Sequence, residues 1–261
     1  MRVALGIEYD GRTFNGWQVQ PDLPTVQAAL ERALSRFCGT GQAVATICAG
    51  RTDTGVHATG QVVHFDAPVS RPMSSWVRGT NAFLPETVAV RWAREVPEDF
   101  SARFSASERT YEYWILNDPV RSPLLAGRAG WCFRPCREEL MREAARPLLG
   151  RHDFTSFRAA ECQAKSPVRT LREVTIERRG RLIGIRLRAD GFLQHMVRNI
   201  VGSLVYAGIG RVPPEWVGEV LEACDRSKAA PTFSPAGLYL TGVLYPGSGL
   251  PEKGESPFWP L

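Results

Sequence analysis

The stretch AGRTDTGVHATGQ, residues 49–61, places charged side chains in a glycine-rich segment between two short predicted strands, residues 43–49 and 61–66. Glycine allows unusual backbone dihedrals and close approach by a ligand, so this segment is predicted to be a tight loop. In an extended segment Arg51 and Asp53 would share a face, and the guanidinium would keep the Asp53 carboxylate ionised. An ionised carboxylate suits a nucleophile, although an Arg–Asp pair that only fixes a loop is the commoner arrangement.

Apolar periodicity predicts strands and helices on both sides of this loop. Strands are predicted at residues 3–9, 43–49, 61–66, 88–92, 108–116, 172–178, 182–189 and 238–245, and helices at 25–37, 137–149, 193–204 and 215–224. The first helix is predicted to end at Gly39, and Pro147 weakens the end of the second. Because the strands occur as hairpins rather than βαβ units, we predict an α+β fold with mainly antiparallel sheets flanked by helices.

Composition excludes several classes of protein. The 261 residues are 44% hydrophobic and 23% charged, as in a folded chain of one or two domains. No apolar run approaches the roughly 18 residues of a transmembrane helix, and Glu8 comes too early for a signal peptide. The four histidines and six cysteines form no HExxH or paired CxxC pattern, so we expect no structural metal site. Walker and Rossmann motifs are also missing.

The positive charge lies mostly in the middle of the chain. The formal net charge is +5, and residues 137–200 contain 14 basic and 8 acidic residues. Arginine supplies 29 of the 32 basic residues, and its guanidinium fork suits phosphate oxygens. This segment is therefore either a phosphate-docking surface or an ordinary solvated face, and the arginine bias could equally reflect genome composition.

Seven short segments occur in a fixed order between residue 9 and about residue 245. They read YDGRTFNGWQ (9–18), GRTDTGVHA (50–58), NAFLP (81–85), ARFSASERTYEY (102–113), HDFTSF (152–157), GFLQHMVRNI (191–200) and GLYL (237–240). Together they resemble the TruA family of tRNA pseudouridine synthases. Two departures are Ser101, where His or Asp is expected, and a longer stretch 231–236, which leaves either Leu238 or Leu240 as the family's active-site leucine.

The resemblance implies two related α+β domains around an active-site cleft, residues 1–105 with the Asp loop and residues 106–261 with the Tyr and Arg partners. It implies isomerisation of uridine to pseudouridine in the anticodon stem-loop of tRNA, at nucleotides 38, 39 and 40. The N-glycosidic bond breaks, uracil rotates, and C5 bonds to the ribose C1′. The resemblance further implies no cofactor and no metal, a cytoplasmic homodimer, tRNA as partner, and no membrane association.

The resemblance also assigns roles to individual residues. Asp53 is expected to be the nucleophile that attacks C1′ or the base that removes the ribose 2′-proton, and Arg198 its ion-pair partner. Tyr111 is expected to stack on the target base and to help proton transfer at C5. Arg51 either contacts a neighbouring phosphate, fills the space vacated by a flipped base, or fixes its own loop. His57 and Gln61 are interpreted as scaffold.

The sequence is also compatible with two other functions. A non-catalytic RNA-binding or chaperone protein could use the same scaffold, but it would not need the carboxylate of Asp53. A carboxylate-based hydrolase would need a second catalytic acid, and no clear candidate lies near Asp53.

Overall fold

The computed structural model describes residues 1–252 and residue 254, which divide into two compact units. Of the described residues, the first unit holds Met1–Ser107 with residues 239–252 and 254, and the second holds Glu108–Leu238. In chain order the elements are β1 (Arg2–Tyr9), α1 (Val26–Cys38), β2 (Ile47–Cys48), β3 (His57–Asp66), α2 (Met73–Asn81), β4 (Val88–Val96), β5 (Glu108–Asn117), β6 (Gly130–Cys132), α3 (Glu138–Ala145), β7 (Gly150–Asp153), β8 (Val168–Arg179), β9 (Leu182–Ala189), α4 (Met196–Gly208), α5 (Trp216–Ala223) and β10 (Leu238–Leu244).

The sheet of the first unit is built on β1, whose alternating apolar residues are buried. Strand β1 pairs antiparallel with β3 on one side and with β4 on the other. Strand β2 adds to β3 antiparallel, and β10 adds to β3 in parallel. The sequence predicts a boundary at 105/106 and assigns β10 to the second domain. From Tyr239 on, however, β10 groups with the first unit, because its strand register pairs it with β3. Residues 253 and 255–261 of the predicted second domain lie outside the described residues.

Helix α1 follows its local sequence signals closely. The Thr25 side chain accepts a hydrogen bond from the backbone N–H of Ala28, and Gly39 ends the helix in the left-handed conformation with φ of 69°. One face of α1 is buried, as the 3.6-residue period predicts. Helix α2, which the apolar pattern does not indicate, adds Trp76 to the same core, edge-on to Phe65 at 5.1 Å between ring centroids.

The predicted strand over residues 43–49 is largely wrong, because only Ile47–Cys48 forms a strand. Side chains of α1 satisfy the backbone here instead of a neighbouring strand. The Val44 N–H donates to the Ser35 hydroxyl at 2.9 Å, and the Thr46 N–H donates to the Glu31 carboxylate at 2.8 Å. A backbone group that is already hydrogen-bonded has no need of a strand partner.

The second unit contains an antiparallel sheet in the order β5–β9–β8–β7, with β6 parallel to β5. The predicted hairpin is confirmed as β8 and β9, which turn at Gly180 with φ of 57°. Helix α4 is buried along nearly its whole length, and α3 and α5 contact it. Pro147 falls in a 3₁₀ turn, Arg146–Leu148, which replaces the last turn of the predicted 137–149 helix.

The mixed α+β fold with mainly antiparallel pairing is therefore confirmed. Among the helices of residues 1–252, none is long and apolar enough to cross a membrane.

Candidate active site

The glycine-rich loop with Asp53 connects β2 to β3 in the first unit. The backbone N–H of Val56 donates to the Asp53 carbonyl at 3.1 Å and closes a turn in which Gly55 has φ of 76°. Asp53 is half-buried, whereas Arg51 and Thr54 are exposed. The structure thus presents the Asp53 carboxylate on a closed turn, with Arg51 two residues away on the same loop.

A second segment, residues 9–17, holds the Asp53 loop from its N-terminal side. The Trp17 N–H donates to the Thr52 carbonyl at 3.0 Å, and the hydroxyls of Tyr9 and Thr52 share a buried hydrogen bond of 2.7 Å. Gly16 has φ of 85°, and a Cβ built there would lie 2.8 Å from the Thr52 carbonyl oxygen. Both the backbone and the side chain of the residue before Asp53 are therefore fixed.

His57 and Gln61 act as the scaffold that the sequence indicates. The Gly11 N–H donates to His57 Nδ1 at 3.1 Å, and the His57 ring stacks on Tyr239 with centroids 4.6 Å apart. The Gln61 side-chain amide donates to the Gly50 carbonyl at 2.6 Å. His57 and Gln61 are 3% and 0% exposed, so neither side chain reaches solvent at the loop surface.

Asp10 adds a charged group to this scaffold. Its carboxylate lies 3.4 Å from His57 Nδ1 and forms an ion pair of 2.6 Å with Arg12. Burial raises the pKa of Asp10, but the hydrogen bonds from Arg12 outweigh burial, so its pKa is lower than usual. Asp10 therefore stays ionised beside the histidine at neutral pH.

Tyr111 and Arg198 belong to the second unit. The Tyr111 ring is 8% exposed on β5 and meets Phe192 edge-on at 5.0 Å. Arg198 Nε on α4 donates to the Phe233 carbonyl at 2.9 Å, and the Phe233 ring lies 5.7 Å from the Tyr113 ring. Within this unit, the side chains on β5 and the arginine on α4 are thus connected through Phe233.

Asn199 organises the helix beside Arg198. Its amide is fully buried; it donates to the Phe157 carbonyl at 2.8 Å and accepts from the Thr232 hydroxyl at 2.7 Å. These bonds tie the start of α4 to the segment that also receives the Arg198 guanidinium. The sequence marks Asn199 only as part of the GFLQHMVRNI match.

Much of the arginine-rich segment 137–200 is paired with carboxylates. Four of its arginines lie within 3.0 Å of glutamate oxygens, namely Arg172, Arg178, Arg186 and Arg188. Because glutamates of the same chain neutralise these arginines, the strand arginines fit an ordinary solvated face better than a phosphate-docking surface. In the described part of the chain, no cluster of three His, Cys, Asp or Glu residues could hold a metal ion.

The sequence marks Tyr9, Asp10 and Tyr239 only as parts of the YDGRTFNGWQ and GLYL matches. They lie far from Thr52 and His57 in the chain, and the fold brings them into contact. The two candidate leucines, Leu238 and Leu240, are 5% and 0% exposed, and both are buried.

Comparison with known proteins gives consistent matches. A family model described as tRNA pseudouridine synthase matches residues 6–105 and 144–246. A tRNA pseudouridine synthase A of Burkholderia mallei is 59% identical over 246 residues, covering 94% of this chain and 90% of that protein. The protein of that name from Bordetella petrii is 56% identical over 245 residues, covering 94% and 91%. A chain of a Cbf5-Nop10-Gar1 complex has a TM-score of 0.34 and 10% identity, covering 91% of this chain and 57% of that chain.

Proposed function

The chain belongs to the tRNA pseudouridine synthase family, and we propose that its chemistry depends on Asp53. The protein is an isomerase that converts uridine to pseudouridine in tRNA. The bond between N1 and C1′ breaks, uracil turns, and a bond between C5 and C1′ forms. The hydrogen on C5 is released and N1 ends with a proton, so substrate and product have the same atoms.

The catalytic role of Asp53 is supported by the hydrogen bonds that fix its loop. The residue before Asp53 is bonded through its carbonyl to Trp17 and through its hydroxyl to Tyr9, and the Asp53 carbonyl closes a turn. A catalytic group must be held within a fraction of an ångström of its productive position, and a pinned half-buried carboxylate meets that need. The carboxylate can attack C1′ or remove the 2′-proton, and both routes require its ionised form.

Tyr111 and Arg198 are proposed to act on the same substrate nucleotide. The Tyr111 ring makes a T-shaped contact with Phe192, which restricts its orientation, and a flat aromatic ring suits stacking on a base. Extruding a base costs a few kcal/mol, and such stacking would offset part of that cost. Arg198 supplies a fixed positive charge because its Nε is bonded to a backbone carbonyl. Arg51, exposed beside Asp53, suits contact with a phosphate.

Tritium release from tRNA labelled at C5 of uridine tests the assignment of Asp53. Asp53→Asn keeps the size of the side chain and removes its charge, so release should be lost while tRNA binding by filter assay stays nearly unchanged. Thr54→Ala is the matched control on the same loop and should release tritium at the wild-type rate. Full release by Asp53→Asn would refute the role of Asp53.

Two substitutions separate the role of the Tyr111 ring from that of its hydroxyl. Tyr111→Phe keeps the ring and should retain most of the release, whereas Tyr111→Ala should lose it, if the ring stacks on the base. Equal loss in both variants would mean that the hydroxyl is needed, as in proton transfer at C5.

We also propose the finer features that the family resemblance implies. The targets are nucleotides 38, 39 and 40 of the anticodon stem-loop, and the protein acts in the cytoplasm as a homodimer. Mapping of modified nucleotides in tRNA from a deletion strain should show loss at these positions alone. Light scattering should give twice the mass of one chain, and a single-chain mass would contradict the dimer.

A further inference from the structure

Three sulfur atoms come together in the second unit, away from the residues assigned above. Cys132 ends β6, Cys136 lies two residues before α3, and Met141 lies within α3. Cys136 Sγ is 3.4 Å from Met141 Sδ, and Cys132 Sγ is 3.4 Å from the Arg134 carbonyl oxygen. All three residues are buried, and Cys132 keeps the largest exposed fraction, 7%.

The side chain of one residue, Asn117, is hydrogen-bonded to the backbone of both cysteines. The Asn117 side chain donates to the Cys132 carbonyl at 3.0 Å and accepts from the Cys136 N–H at 3.2 Å. Gly208 on α4 leaves room for the pair, because a Cβ at that position would lie 2.4 Å from Cys136 Sγ. The spacing of the thiols is therefore built into the fold.

The two thiols differ in acidity. The neighbouring Cys136 thiol is the largest cause of the lowered pKa of Cys132, and Cys132 in turn raises the pKa of Cys136. A thiolate is the reactive form of cysteine, so Cys132 is the nucleophile of the pair and Cys136 remains the thiol.

We propose that Cys132 and Cys136 are an oxidisable dithiol site that forms a reversible intramolecular disulfide with hydrogen peroxide. The Cys132 thiolate attacks one peroxide oxygen, the O–O bond breaks, and hydroxide leaves, which gives a sulfenic acid. The Cys136 sulfur then gives up its proton and attacks the Cys132 sulfur; an S–S bond forms, the S–O bond breaks, and the hydroxyl leaves with that proton as water. The two thiols lose two electrons and two protons, and peroxide is reduced to two molecules of water.

The other cysteines lack this arrangement. Burial raises the pKa of Cys38 and of Cys48, the latter to about 11, which suppresses their thiolates. Burial also raises the pKa of Cys162, but hydrogen bonds from Ala164, Gln194 and Arg158 outweigh it and lower that pKa. Cys162 is therefore a matched control, a polarised thiol whose hydrogen bonds come from backbone and guanidinium groups rather than from a second thiol.

Peptide mass spectrometry of the full chain tests the site. Trypsin does not cleave before proline, so the bond between Arg134 and Pro135 survives and residues 129–137 form one peptide with both cysteines. After peroxide treatment and alkylation, this peptide should lose two hydrogens and take up no alkyl group, and dithiothreitol should restore both thiols. The Cys162→Ser variant should behave like the wild type.

Substitutions within the pair give the decisive outcomes. Cys136→Ser removes the second thiol, so the peptide should accumulate a sulfenic acid that dimedone traps, and Cys132→Ser should give neither product. Circular dichroism checks that both variants are folded. The site is refuted if the wild-type peptide keeps two alkylatable thiols at a peroxide dose that oxidises Cys162, or if Cys136→Ser still loses two hydrogens.

Discussion

Replacing Gly16 by alanine should displace the loop of Asp53, and the resulting loss of activity can be distinguished from a loss of stability alone by comparison with a second glycine variant. Gly16 has φ of 85°, where an L-residue costs about 1–2 kcal/mol. Its new Cβ would also lie 2.8 Å from the Thr52 carbonyl oxygen, against 3.4 Å for an ordinary contact, so the two atoms must separate by about 0.6 Å. Forcing atoms into a filled space costs roughly 1–3 kcal/mol more.

The expected result is a variant that is less stable and slower but still binds tRNA. The free energy of unfolding in urea should fall by about 2–5 kcal/mol. A displacement of 1 Å at a catalytic group can cost a factor of about 100, so a shift of about 0.6 Å in the loop of Asp53 should slow single-turnover tritium release roughly tenfold. Filter binding should give nearly the wild-type tRNA affinity.

Gly39→Ala is the matched control for the backbone conformation. Gly39 also has positive φ, 69°, but a Cβ there would meet nothing within 4 Å. This variant should lose only about 1–2 kcal/mol of stability and keep the wild-type rate of release. The reasoning is refuted if the two alanine variants release tritium at the same rate, because the contact with Thr52 would then not position Asp53.

Three further substitutions probe the same frameworks. Tyr9→Phe removes the hydrogen bond to Thr52 and should lower the free energy of unfolding by about 1–3 kcal/mol in urea, since it leaves a buried hydroxyl unpaired; an unchanged midpoint would contradict this. Burial raises the pKa of Asp10, but the hydrogen bonds from Arg12 outweigh burial and lower it. The stability that the ionised Asp10 gives to the fold is therefore present above its unfolded pKa of about 3.8 and is lost as the pH falls further. The free energy of unfolding of Asp10→Asn should therefore be lower than that of the wild type at pH 7 and closer to it at pH 3. The same difference in free energy at both pH values would contradict this prediction. Asn199→Ala should cost about 1–3 kcal/mol, because it leaves the buried Phe157 carbonyl without its donor, and thermal unfolding measures the loss.

Local signals in the sequence predicted those parts of the fold that depend on neighbours in the chain. Helix α1 has an apolar stripe and a terminating glycine, and both occupy their predicted positions, while Thr25, the first residue of the predicted helix, caps the helix. Helix α2 has two serines and a glycine, and Trp76 is its one buried apolar side chain, so its periodicity is too weak to detect. It forms because Trp76 is buried against Phe37 and Phe65, which are distant in sequence.

The predicted residues of the site divide in the same way. Arg51 and Asp53 could be singled out as candidates because they lie two residues apart on one glycine-rich loop, and the family resemblance then gave them their expected roles. The roles of Tyr9 and Tyr239 could not be inferred, since each contacts its partner only through the strand register of β1 and β10. In β10 that register also decided which unit the strand joined, and no local periodicity contains this information.

The two densest motifs of the sequence, YDGRTFNGWQ and GRTDTGVHA, form one structural framework. They are joined by backbone and side-chain bonds, since Gly11 bonds to His57 at one end and Trp17 to Thr52 at the other. At Gly11 a Cβ would lie 2.0 Å from the Val56 carbonyl oxygen, so this glycine is required by close approach of the two segments. A change in either motif therefore alters the same loop. It follows that substitutions in residues 9–17 should affect the release step through the position of Asp53, although none of these residues has to touch the substrate.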